Sequence, residues 1–184
     1  RTAQPGGAAA LVALLLDPLA GALHTAVVGP CGFVLLRPNA AAREMDVASA
    51  WRPYVSPAAR TRHVASPDVR PLLGGDDPSA AYEEQLLVQP GDLLVAGTHG
   101  LFDMVWFHGP TSTNLRRELF QLQDSGPSRT PAAALAHQLA SLADSVAAGN
   151  ISSSPLAQQL AREGRSLSPV QDVGDVAVVC AWVM

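Results

Sequence analysis

Apolar residues fall along this chain in short runs parted by glycine, proline and aspartate, and their spacing changes past the middle. Ala8 to Leu16 is continuously apolar between Gly6-Gly7 and Asp17-Pro18. The run predicts a buried strand, although its alanines and leucines would suit a helix too. Asp17-Pro18-Leu19-Ala20-Gly21 reads as a turn. Leu23 to Val28 is then a second strand, in a hairpin with the first. Gly29-Pro30-Cys31-Gly32 is a tight turn, and Phe33 to Arg37 is a third strand that would close a meander. Pro38 to Asp77 has no clean period and carries Pro53, Pro57, Pro67 and Pro71, so it reads as irregular. A connection of that length is uncommon in a compact domain unless it is functional or packs in pieces. Tyr82 to Val88 alternates loosely, as a strand does. Gln89-Pro90-Gly91-Asp92 turns into an apolar run that ends at the polar tip Thr98-His99-Gly100.

From that tip onward the period becomes helical. Leu101, Phe102 and Val105 are spaced for a helix that begins at once. Thr111 to Gln123 opens with capping residues and sets Leu115, Leu119 and Leu122 on one face. After a linker from Asp124 to Thr130, Pro131 starts a helix reaching about Ala148, with Leu135, Leu139, Leu142 and Val146 as its stripe. Ser154-Pro155 opens a third helix ending near Gly164, and Asp175 to Val183 is a last apolar strand. There are no internal repeats. Strands, then helices, then one strand predict an α+β domain.

Bulk composition narrows the class without naming a function. A chain of 184 residues, 48% hydrophobic and 15% charged, can bury a real core. A net charge of −4 gives no argument for nucleic acid or for an anionic membrane surface. All 12 basic residues are arginine, which together with the many alanines and prolines fits GC-rich codon usage. Cys31 and Cys180 are far apart and lack metal-binding spacing, so a reducing compartment is the default. No apolar run reaches the ~18 residues of a membrane helix. No signal peptide is expected within residues 1–184. The chain starts at Arg1 without a methionine, so an upstream segment is expected to have been removed or left out.

The most specific signal is a set of glycine and acid motifs in fixed order. A strand pair leads into Gly29-x-x-Gly32-Phe33-x-x-x-Arg37. Gly91-Asp92-x5-Thr98-x-Gly100-Leu101-Phe102-Asp103 follows, then Ser154-Pro155-x-Ala157 at a helix start, then Asp175-Val176-x-Val178-Val179 on the closing strand. In that order and spacing the chain resembles the metal-dependent PP2C (PPM) protein phosphatases. It looks most like the organellar branch that includes the mitochondrial PP2C-like enzymes. The resemblance runs from about Gly6 to Val183 and covers the carboxy-terminal two-thirds of that family's domain. It implies one partial PP2C-like domain over residues 1–184, built as an α/β/β/α sandwich.

For such a domain the resemblance implies two divalent cations, Mn²⁺ or Mg²⁺, which activate a bridging water against phosphoserine or phosphothreonine. Hard cations of this kind take carboxylate and water oxygens. Three acidic positions of the family fall on other residues here. The turn aspartate is Pro30, the aspartate of the Thr-Asp-Gly tip is His99, and the first acid of the closing motif is Gly174. Asp175 remains, at the position that contacts phosphate or water. The framework around these positions (Gly29, Gly32, Phe33, Gly91, Asp92, Gly100, Leu101, Phe102 and Asp103) is kept.

This pattern implies a degenerate, catalytically inactive phosphatase domain, a binding or structural subunit of a larger organellar assembly. No cofactor is expected, with Mn²⁺ or Mg²⁺ the metals if it were active. A protein partner is expected because half a sandwich leaves one sheet face open, and open apolar patches mark interfaces. The mitochondrion is favoured over the chloroplast. Two alternatives stand beside it. One is an active serine/threonine phosphatase whose remaining ligands lie in an amino-terminal part; the other is a phosphopeptide-binding module.

Several single residues carry competing readings. His99 is either a lone metal or phosphate contact, or a substituted ligand position hydrogen-bonded to its neighbours. Cys31-x5-Arg37 formally matches the signature of cysteine-based phosphatases. The residues between are Gly32-Phe33-Val34-Leu35-Leu36, a strand rather than a phosphate-cradling loop, so Cys31 is expected to be a small buried residue. Asp92 is expected to cap the turn before its strand, and Asp103 to orient the tip or cap the helix after it. Glu83 and Glu84 are adjacent and must face opposite ways on a strand. Asn150-Ile151-Ser152 matches a glycosylation sequon that the compartment would leave idle.

Overall fold

A computed structural model of the chain describes residues 8–51, 64–65, 79, 81–123, 130–149, 151–166 and 175–184. In chain order the strands are β1 (Ala8–Ala9), β2 (Leu11–Asp17), β3 (Ala22–Val28), β4 (Cys31–Asn39), β5 (Glu44–Trp51), β6 (Val64–Ala65), β7 (Tyr82–Leu87) and β8 (Leu93–Thr98). Four helices follow: α1 (His99–Met104), α2 (Thr113–Gln123), α3 (Ala132–Gly149) and α4 (Pro155–Arg162); the last strand is β9 (Val178–Trp182). Two antiparallel sheets form the body, ordered β2-β3-β7 and β5-β4-β8-β9, and β1 pairs with β6 apart from them.

The alternation of buried positions explains the layering. Along β4, Val34 and Leu36 join Leu93 and Val95 of β8 in a core shared with Leu101, Phe102, Leu119, Leu135, Leu139 and Leu160 of the helices. The opposite face of the same strands packs Cys31, Phe33, Ala96 and Leu94 against Val12, Leu14, Val27 and Leu86 of the three-stranded sheet. Side chains at even and odd positions of a strand lie on opposite faces, so β4 and β8 are buried on both. They therefore read as continuous apolar runs. Strands of the three-stranded sheet bury one face only. Leu11, Leu15 and Leu87 on its outer face are 56%, 68% and 73% exposed.

The α+β class stands, and the alternatives for the first run resolve to strand. Two expectations are corrected. Phe33–Arg37 does not extend a meander, because β4 leaves its predecessor at the Gly29-Pro30 turn and joins the other sheet, between β5 and β8. The turn thus crosses the sandwich. The stretch from Pro38 is also not wholly irregular, since Glu44–Trp51 is a full strand. Its apolar positions facing the helices are Met45, Val47 and Ala50. That spacing of two and then three comes from an irregularity in the β4–β5 register, where Leu35 pairs with Ser49 but Leu36 with Val47. An extra residue in one strand breaks strict alternation and hides the strand from a period-two reading.

Helix α3 shows a smaller departure. Leu135 and Leu139 are buried as expected, but Ala143 takes the next core position and Leu142 is exposed. The sequon residue Asn150 lies outside the described residues.

Candidate functional site

Three chain segments meet where β8 ends and α1 begins. Pairing of Cys31 with Thr98 brings the start of β4 to this tip, and pairing of Gly97 with Val178 brings the approach to β9. Backbone and hydroxyl bonds close the corner. The His99 N–H donates to the Pro30 carbonyl at 3.0 Å, and the Thr98 N–H to the Ala177 carbonyl at 3.1 Å. Thr98 Oγ1 donates to the Asp175 carbonyl at 2.5 Å and accepts from the Ala177 N–H at 3.0 Å. One threonine side chain therefore clamps the segment leading into β9.

Glycines let these segments approach. A Cβ placed on Gly97 would lie 2.7 Å from the Ala177 carbonyl oxygen and 2.9 Å from Leu101 Cδ2. Any side chain there would push the β9 approach or α1 away. Gly29 has φ of 84°, a left-handed conformation that favours glycine, and the Cys31 N–H closes the turn on its carbonyl at 2.9 Å.

The sequence placed Pro30, His99, Gly174 and Asp175 at one site. The structure draws Pro30, His99 and Asp175 into the same corner through the bonds above, with His99 half-buried and Asp175 exposed. Gly174 lies outside the described residues. Among the described residues the donor set at this corner does not fit a pair of hard cations. Pro30 offers only its carbonyl, which already accepts from His99. His99 would offer a neutral nitrogen, which lacks the charge that Mg²⁺ and Mn²⁺ prefer. Asp175 is the one carboxylate at these positions. Among the described residues no three His, Cys, Asp or Glu side chains gather as a metal cluster.

Other candidate residues lie elsewhere. Cys31 sits on a strand, buried, its thiol donating to the Val28 carbonyl at 3.4 Å, and burial pushes its pKa up. Cys180 is pushed up to about 12 by burial. Both thiols are held neutral, the opposite of what nucleophilic cysteines require. Glu83 and Glu84 face opposite ways as expected, Glu83 outward and Glu84 inward to accept from Ser49 Oγ at 3.3 Å.

Asp92 caps its turn by accepting from the Gln89 N–H at 2.9 Å. It also takes part in a pair that sequence reading missed. Arg37 Nε donates to its Oδ1 at 3.0 Å and Nη2 to its Oδ2 at 2.7 Å, while Nη2 also reaches the Leu87 carbonyl at 2.9 Å. Hydrogen bonding to Asp92 raises the arginine pKa further above its ordinary value. The register that pairs Leu36 with Leu93 sets Arg37 beside Asp92, at the far end of β4 from the tip. The pair joins β4 to the start of β8 within one sheet, the Arg37 bond to the Leu87 carbonyl reaches the other sheet, and neither is part of the corner. A second missed feature, Trp51 stacked on Tyr82 with centroids 3.8 Å apart, joins the sheets nearer the tip.

No protein-family model matches the chain, and no curated protein matches it. Among solved structures it is similar to the photosystem II phosphatase PBCP, with a TM-score of 0.71 at 19% sequence identity. The match takes in 100% of this chain and 67% of that one. What the likeness establishes is the fold, a PP2C-like α+β sandwich.

Proposed function

We propose that the chain is a degenerate PP2C-like phosphatase domain that has lost hydrolysis and serves as a binding or structural subunit of a larger organellar assembly. The observation that carries this reading is the corner itself. Its strand ends converge as a phosphatase site would require, while the side chains there are Pro30, His99 and Asp175. A two-metal centre acts by lowering the pKa of a bound water and clamping the attacking and leaving oxygens. Among the described residues the corner offers one exposed carboxylate and one imidazole, a set that does not hold two hard cations. A protein partner is supported by the apolar outer face of the three-stranded sheet, where Leu11, Leu15 and Leu87 lie exposed. An organellar setting is supported by the similar structure, a photosystem II phosphatase. The mitochondrion is the compartment we favour, from the branch of the family that the motifs resemble.

The test is phosphate release from a generic phosphoester and from a phosphoserine peptide in the presence of Mn²⁺. The expected rate equals the uncatalysed background. Turnover that a chelator abolishes would overturn the proposal in favour of an active phosphatase. Saturable binding of the phosphopeptide, but not of its unphosphorylated twin, would shift the reading to a phosphopeptide-binding module.

A reversal experiment addresses the corner directly. Replacing Pro30, His99 and Gly174 together by aspartate adds three carboxylates at the substituted positions. Calorimetry with Mn²⁺ is expected to show binding at least about tenfold tighter than in the parent chain, since hard cations favour carboxylate oxygens. An unchanged isotherm in a variant that still folds would mean that the three positions do not form one metal corner.

A further inference from the structure

We draw no further inference here: the strongest candidate, the step beside the edge of β2 that is unpaired among the described residues, where Val179 and Ala181 of β9 lie exposed on the sheet face that elsewhere buries Phe33 and Leu35, is an apolar surface and nothing in the structure shows what covers it.

Discussion

Two side chains show how differently a polar residue is used in this domain. Asp175 is exposed at the tip and its backbone carbonyl, not its carboxylate, receives the Thr98 hydroxyl. Asp92 is fully buried and spends both carboxylate oxygens on Arg37 and the Gln89 N–H. A buried carboxylate is tolerated only when it is paired and hydrogen-bonded. Removing one partner leaves the other without compensation, so Asp92→Ala is expected to lower stability by about 3 kcal/mol. Urea denaturation measures this, and a loss below about 1 kcal/mol would show that water replaces the aspartate at the 30% exposed arginine. The raised pKa of Arg37 fixes the sign of its pH dependence. Its contribution is complete below the ordinary arginine pKa and is lost only as pH rises through the higher folded value, so neutral-range titration leaves it intact. The capping role of Asp92 was legible in the sequence from the Gly91-Asp92 turn. Its partner was not, because Arg37 is 55 residues away and only the β4–β8 register brings them together.

Elements were legible where burial follows one period and obscure where it does not. Strand β8 and the start of α1 read clearly because Leu93, Val95, Leu101 and Phe102 all point into the helix-side core. Strand β5 was hidden by its irregular register, and in α3 the third core position falls on Ala143 while Leu142 is exposed. A small residue on a helix face permits close approach, which the leucine stripe alone does not announce. Gly97 plays the corresponding part in β8. Gly97→Ala is expected to destabilise the domain by about 1–3 kcal/mol, the usual range for overpacking, because the Ala177 carbonyl and Leu101 must both retreat. Gly149→Ala serves as its control. Its Cβ would meet nothing within 4 Å, and alanine's better helix propensity predicts a gain of up to about 1 kcal/mol. Thermal melts of the two variants should move in opposite directions; matching shifts would mean that space at Gly97 is not the deciding factor.

At the scale of the whole molecule, the asymmetry between the two sheets governs behaviour. One sheet is covered by α1 to α4 on one side and, over β4 and β8, by its partner sheet on the other, whereas among the described residues no helix covers the outer face of β2-β3-β7. That face carries Leu11, Leu15 and Leu87 beside His24, Glu83 and Gln85. Changing Leu15 and Leu87 together to lysine removes apolar surface that water already reaches. Stability is therefore expected to stay within about 0.5 kcal/mol per site, as for surface substitutions away from special features. Urea denaturation of the double variant measures this. Unfolding of the double variant would show instead that this face is buried within the protein. None of the four helices is long and apolar enough to cross a membrane.

By itself the sequence determined the α+β class and most element positions. Those properties are local: periodicity, turn chemistry and residue identity are written along the chain. Only the tertiary structure decided that β4 parts from β3 and joins the opposite sheet, because sheet membership depends on which distant strand supplies hydrogen bonds. It also decided that Pro30, His99 and Asp175 share one corner, since the bonds that join them run between segments tens of residues apart. The chain names the residues at the tip, and the packing of β4, β8 and the approach to β9 brings them into one corner.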